Sequence, residues 1–188
     1  GYTNGNLATQ GSWTKSGSGP DVAVASASPL TYSTYNGGGS SYALTPTPSS
    51  TTSNVRKAFT SNSLGTNTFF MSFLLNVSSA NATGDYFLSL ADPSTGTAYF
   101  ARVFIRSNGT GYNIGISKAA ATGTFGSTVF NFGQTYAVVV RFTGVSGTTN
   151  DAAYIWVNPT LSAEPATSSA EATISSGNDP SLAGGNVG

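Results

Sequence analysis

The 188 residues suffice for one domain with a substantial core. Seven basic and seven acidic residues cancel, and charged residues make up only 7% of the chain against about 25% in an average soluble domain. No positive field is therefore available for nucleic acid or an anionic membrane. With no cysteine and no histidine, the chain lacks disulfides, thiolate metal sites, and the commonest general base and zinc ligand. Hydrophobic residues at 38% and aromatics at 12% supply enough apolar area for folding, so this is not a disordered composition. No run approaches the roughly 18 apolar residues of a membrane span, and no signal peptide opens the chain. A Ser/Thr/Asn/Gly surface with few charges points to a secreted or surface-exposed setting. The start at Gly1 reads as that of a processed or excised chain.

Helical periodicity is nearly absent, and alternation between turn clusters recurs instead, as in an all-β chain. The first part is loose: "YNGGGSSYAL" and "TPTPSSTTS" read as long loops around a short strand at 42–44. In "TFFMSFLLNVSS", Met71, Phe73, Leu75 and Val77 share one face, with Phe70 and Leu74 on the other. This predicts a strand interior to its sheet. "DYFLSLAD" places Tyr86, Leu88 and Leu90 together. After a turn holding Pro93 and Gly96, "AYFARVFIRS" places Tyr99, Ala101, Val103 and Ile105 on one face. Phe100, Arg102, Phe104 and Arg106 form an aromatic-basic stripe on the other. Asn108-Gly109 is the strongest hairpin signal of the chain. "TYAVVVRFTG" groups Val138, Val140 and Phe142, with Val139 and Arg141 opposite. The loop "SGTTND" leads to "AAYIWVNP", which sends Ala153, Ile155 and Val157 inward and Tyr154 and Trp156 outward. Past Pro159 the chain is rich in Ala, Ser and Gly, with one weak strand at 172–175; residues 160–188 read as a loosely packed flank. Seven or more strands with turns at this spacing predict a single β-sandwich over 1–188.

Several chemistries can be weighed on these residues. Retaining glycoside hydrolysis needs two carboxylates about 5–5.5 Å apart, as acids at alternate positions of one strand provide. Among Asp21, Asp85, Asp92, Asp151, Glu164, Glu171 and Asp179, no two have that spacing. Nucleophilic catalysis has no histidine to activate a serine and no cysteine as a substitute. The chain therefore reads as a non-enzyme. No cofactor is demanded; one calcium ion is the metal these residues suit best, with Asn150, Asp151 and Asp85 as oxygen ligands. The competing reading is that these residues make side-chain turns. Trp13, Tyr32, Tyr35, Tyr154 and Trp156 are the aromatic candidates, and Tyr154 with Trp156 could form a flat platform for a sugar. Either can equally be a half-buried strand residue. Arg102 and Arg106 could contact an acidic partner, or could simply cover phenylalanines with their stems. Asn76, Asn81 and Asn108 each open an N-x-S/T triplet.

Four stretches together, "GNLATQGSWTKSGSG", "LTYSTYNGGGSS", "NVSSANATGDYFLSLADPSTGTAYFARVFIRSNGTGYNIGIS" and "VSGTTNDAAYIWVNP", resemble the laminin-G-like, concanavalin-A-type modules of bacterial secreted and surface proteins and of some phage surface proteins. The resemblance covers most of residues 1–159. It implies a two-sheet antiparallel jelly roll, a non-catalytic role in carbohydrate recognition or surface adhesion, and in many such modules one calcium ion. Such modules continue past an Ala/Ser-rich tail into one or two more apolar strands, which are not found before Gly188. This leaves either a clipped chain or an open edge that a neighbouring copy could complete. The alternative function is thus a structural subunit of a filament, surface layer or virion exterior. The partners expected are a glycan or copies of the same chain.

Overall fold

The computed structural model describes residues 2–26, 30–35, 42–46, 53–59, 62–63, 66–92, 98–181 and 186–187. The loops expected at 36–41 and 47–52 and the Pro93–Gly96 turn lie outside the described residues. In chain order the strands are β1 (Gly5–Asn6), β2 (Thr14–Gly17), β3 (Ala23–Ala25), β4 (Ala43–Thr45), β5 (Ser53–Arg56), β6 (Asn62–Ser63), β7 (Thr68–Asn76) and β8 (Asp85–Ala91). They continue with β9 (Tyr99–Asn108), β10 (Gly111–Ser117), β11 (Thr124–Phe125), β12 (Phe130–Asn131), β13 (Thr135–Thr143), β14 (Ala152–Val157), β15 (Ala172–Ile174) and β16 (Asn186–Val187). Two 3-10 turns, Leu7–Thr9 and Thr167–Ser169, are the only helical elements among the described residues.

Two antiparallel sheets carry the core. One runs β11-β10-β9-β8 with β12 also on β10, and the other runs β15-β14-β13-β7. Shorter ladders join β1-β3-β4, β2-β5 and β6-β16. The two main sheets face each other through their alternating apolar residues: Phe100 of β9 meets Phe142 of β13 with ring centroids 5.3 Å apart at 65°. Val103, Ile114 and Ile116 from one sheet and Val138, Val140, Ala153 and Ile155 from the other complete this layer. Tyr112, Phe130 and Tyr136 close one end as an aromatic cluster. Each large side chain buried here contributes about 1.5–3 kcal/mol, more than an exposed ion pair supplies. The architecture is thus an all-β antiparallel sandwich, as the alternation predicts.

The β9–β10 hairpin turns through Gly109 and Thr110, since Asn108 pairs with Gly111. Gly109 has φ 61, so it takes the position that a two-residue turn reserves for a left-handed residue. Gly111 permits close approach of β12: a Cβ there would lie 2.2 Å from the Phe130 carbonyl oxygen.

Three features depart from simple alternation. The β8–β9 register shifts twice, between Tyr86 and Leu88 and between Leu88 and Leu90. At the second shift Ala101 adopts φ 47, a left-handed conformation that bulges permit. Phe100 consequently turns into the core, and Tyr99 takes its place on the outer face beside Arg102. The first shift likewise puts Tyr86 outside with Phe104, while Leu88 and Leu90 pack inward. The expected faces of Tyr86, Tyr99 and Phe100 are corrected accordingly. Finally, β7 ends its ladder among the described residues, although it reads as an interior strand. Alternation reports which face is buried and carries no information about how many neighbours a strand has. Phe70, on the outer face of β7, is 49% exposed.

Candidate functional site

The outer face of the β7-β13-β14-β15 sheet holds the expected aromatic pair. Tyr154 and Trp156 stack with nearly parallel rings, centroids 5.8 Å apart and 16° between planes. The Arg141 guanidinium sits 4.3 Å from the Tyr154 ring centroid and 5.9 Å from that of Trp156, and it pairs with the Glu164 carboxylate. The chain after Pro159 folds back over this face. Trp156 is only 1% exposed, and its indole N–H donates to the Ala166 carbonyl at 3.0 Å. A cleft of about 410 Å³ remains beside the Trp156 edge, walled by Pro159, Glu164 and Ala166. The platform is therefore occupied by the protein itself: Arg141 and Glu164 cover Tyr154, and the strap 159–169 covers Trp156.

Beyond this strap the chain continues to be tied down. β15 pairs with β14 through Ala153–Ile174, Tyr154–Thr173 and Ile155–Ala172. The Glu171 carboxylate accepts from the Thr128 N–H and hydroxyl, at 3.0 and 2.7 Å, and so bridges to the opposite sheet. Asp179 then reaches the β13–β14 loop. Residues read from sequence as a loose flank thus cover one sheet and join it to the other.

The expected calcium ligands do not converge. Asp85 pairs across β9 with Ile105, which pairs with Ile114 of β10. Lys118, beside the Asp151 backbone, is four residues further along, about 13 Å at the usual strand rise. The Asp85 carboxylate accepts from the Tyr86 N–H. Asn150 donates its side-chain amide to the Ser146 carbonyl, and the buried Asp151 carboxylate accepts from the Val145 N–H at 2.7 Å. These are the side-chain turns that loop residues of this type form. Among the described residues no group of three or more acidic side chains could hold a metal ion.

The second expected pair is placed differently. Arg102 and Arg106 share the outer face of β9, four residues and about 13 Å apart. The Arg102 guanidinium lies 5.1 Å from the Tyr86 centroid and 5.6 Å from that of Tyr99. Arg106 lies 4.2 Å from the Phe125 centroid. Phe104 fills the space between them, packed against Tyr86 and Phe125 and covered at Gly123. Cation–π contacts of this kind are worth about 0.5–2 kcal/mol, but they do not use guanidinium N–H donors. Among the described residues neither arginine forms an ion pair, while Lys15, Lys118 and Arg141 are each paired with an acid. The Arg102 Nε is shielded from solvent and has no acceptor. Burial pushes the Tyr86 hydroxyl above its ordinary value, with Tyr99 and Asp85 adding to this and the Arg102 charge opposing it.

Two features escape the sequence reading. Trp13 donates its indole N–H to the Tyr2 hydroxyl at 2.9 Å, and the two line an apolar cleft of about 330 Å³ with Tyr42 and Leu44. Tyr35 instead lies over β7, hydroxyl to hydroxyl with Ser72 at 3.1 Å. The other feature is a buried ion pair between Lys118 and Asp179, with side chains 3% and 8% exposed. No local pattern signals a pair so distant in sequence. Compared with known proteins, the chain matches no family model, no curated protein and no solved structure.

Proposed function

We propose that this chain is a non-catalytic, extracellular or surface-borne jelly-roll module of the laminin-G-like, concanavalin-A type, serving carbohydrate recognition or adhesion. Its contact surface is the outer face of β8, β9 and β10, with Arg102 and Arg106 as the anchors. One observation carries this reading: these two guanidinium groups rest on aromatic rings and have no carboxylate partner among the described residues. Such an arrangement leaves planar N–H donors for an acidic group, which arginine binds in bidentate fashion. Tyr86, Tyr99 and Phe125 hold the two guanidinium groups in place from beneath. The favoured ligand class is therefore a glycan carrying carboxylate or sulfate groups. The acids make structural contacts of their own, Asp21 with Lys15, Asp85 with its neighbouring backbone, Asp151 with Val145, Glu164 with Arg141, Glu171 with Thr128 and Asp179 with Lys118, which supports a role without catalysis.

A glycan array probed with the wild-type chain and with Arg102→Gln/Arg106→Gln tests the proposal. Acidic glycans are expected to bind the wild type and to lose most of their signal with the double variant. Equal binding by both proteins, or no binding to any glycan, would refute it. The alternative, a subunit of a filament, surface layer or virion exterior, is favoured by one feature: Phe70, half exposed on β7 at the end of its ladder. Electron microscopy of native material distinguishes the two, since polymers support the subunit reading and monodisperse monomers oppose it.

A further inference from the structure

The oxygen atoms that would suit a hard cation at the β13–β14 loop are already occupied by Lys118. Lys118 follows the last residue of β10, and its carbonyl accepts from the Ala101 N–H at the β9 bulge. This fixes the stem so that the side chain runs inward, where it is 3% exposed. The ammonium donates to the Thr149 carbonyl at 3.2 Å, the Asp151 carbonyl at 3.1 Å and the Asp179 Oδ1 at 2.7 Å. An ammonium has three N–H donors, so all are used. Asp179 is held in turn by the backbone N–H groups of Asn150 and Asp151, each at 3.0 Å. The Asp151 carboxylate, in a residue 4% exposed, is turned to the Val145 N–H and is not an ion-pair partner of this ammonium. Carbonyls and carboxylates of this kind are the donor set of calcium, but calcium does not fit here, because a fixed cation of the chain stands at their focus.

We infer that Lys118 is a built-in cation that does the work of a structural metal ion. It ties the segment after β15, through Asp179, to the β13–β14 loop and to the end of β10. The fold at this corner is therefore independent of calcium. Removing the ammonium leaves the Asp179 carboxylate and the Thr149 and Asp151 carbonyls around a vacated space, and that space takes a divalent cation.

Calorimetric melting of the wild type, Lys118→Ala and Lys118→Ala/Asp179→Asn, each in chelator and in millimolar calcium chloride, tests this. The wild-type Tm is expected to be the same in both solutions. Lys118→Ala is expected to melt several degrees lower in chelator and to recover much of that loss in calcium. The double variant is expected to show no calcium response. If Lys118→Ala does not fold in chelator, refolding in calcium replaces the comparison: recovery of the native far-ultraviolet spectrum supports the inference, and failure in both solutions overturns it. A calcium-dependent rise in the wild-type Tm overturns it, as does a Lys118→Ala protein indifferent to calcium.

Discussion

Replacing Trp156 separates a structural aromatic from a ligand platform. The indole is 1% exposed, stacked nearly parallel to the Tyr154 ring and hydrogen-bonded to the Ala166 carbonyl. Truncating a buried tryptophan to alanine costs about 3–5 kcal/mol through lost burial and the cavity left behind. The Ala166 carbonyl loses the indole donor but keeps the Ser169 N–H and hydroxyl, so that term is small. Trp156→Ala should therefore lose about 4 kcal/mol, a large part of the 5–15 kcal/mol that holds an ordinary domain. For a chain of this size the corresponding fall in Tm is about 8–16 °C. Trp156→Phe keeps most of the ring and loses chiefly the hydrogen bond, at about 1 kcal/mol before any packing loss. Urea titration followed by far-ultraviolet circular dichroism measures both. In the same proteins, affinity for an acidic glycan should stay within about twofold under conditions where they remain folded. A Trp156→Ala protein of unchanged stability that had lost glycan binding would refute the assignment of Trp156 to the strap interface.

Other outcomes follow from the same contacts. Asp179→Asn breaks a buried pair and should cost about 3 kcal/mol at neutral pH, measured by chemical denaturation. Burial alone would raise the Asp179 carboxyl, but the hydrogen bond from Lys118, the N–H groups of Asp151 and Asn150, and the Lys118 charge together hold it below the ordinary value. Its stabilisation is present above the unfolded carboxylate value and lost as pH falls from there through the lowered folded value, so the variant should show a flatter acid limb. Asp151 has the opposite sign: burial, with the charge of Asp179, raises its carboxyl against the Val145 N–H and Lys118. Asp151→Asn, which retains an oxygen for the Val145 N–H, should be neutral or stabilising at pH 7 in the same assay. Gly111→Ala places a Cβ against the backbone of β12, 2.2 Å from the Phe130 carbonyl oxygen, and should cost about 1–3 kcal/mol or more by thermal melting. Gly109→Ala, with open space around its Cβ position but φ 61, should cost only the left-handed strain of about 1–2 kcal/mol.

The strands were legible because each buries one face, and period-two alternation records that directly. The Asn108-Gly109 hairpin and the short strand near 172 were legible for the same local reasons. The bulge at Ala101 was not. Alanine rarely adopts a left-handed φ, and only the fit of β8 to β9 requires it here, so Tyr99 and Phe100 exchanged faces without a local sign. The arginine stripe survived that exchange because Arg102, Phe104 and Arg106 all lie beyond the bulge. The fate of Trp156 was hidden differently. Alternation placed it on the outer face, but whether that face is open depends on a strap of Ala, Ser and Pro that carries little hydrophobic signal. The attachments of this strap and of the chain after it, Trp156 to Ala166, Glu171 to Thr128 and Asp179 to Lys118, are isolated polar contacts, invisible to any pattern read along the chain. The same distance hid the lysine that occupies the expected cation position.

The central claim concerns which face of the sandwich meets a ligand, and amide chemical-shift mapping addresses it directly. An isotope-labelled chain would be titrated with an oligogalacturonide, as a defined uronate probe, and with a neutral glucan oligomer. The account predicts salt-sensitive shifts for the uronate alone, clustered at Tyr86, Tyr99, Arg102, Arg106 and Phe125. Shifts confined to Tyr154, Trp156 and the strap, or an equal response to the neutral oligomer, would contradict it.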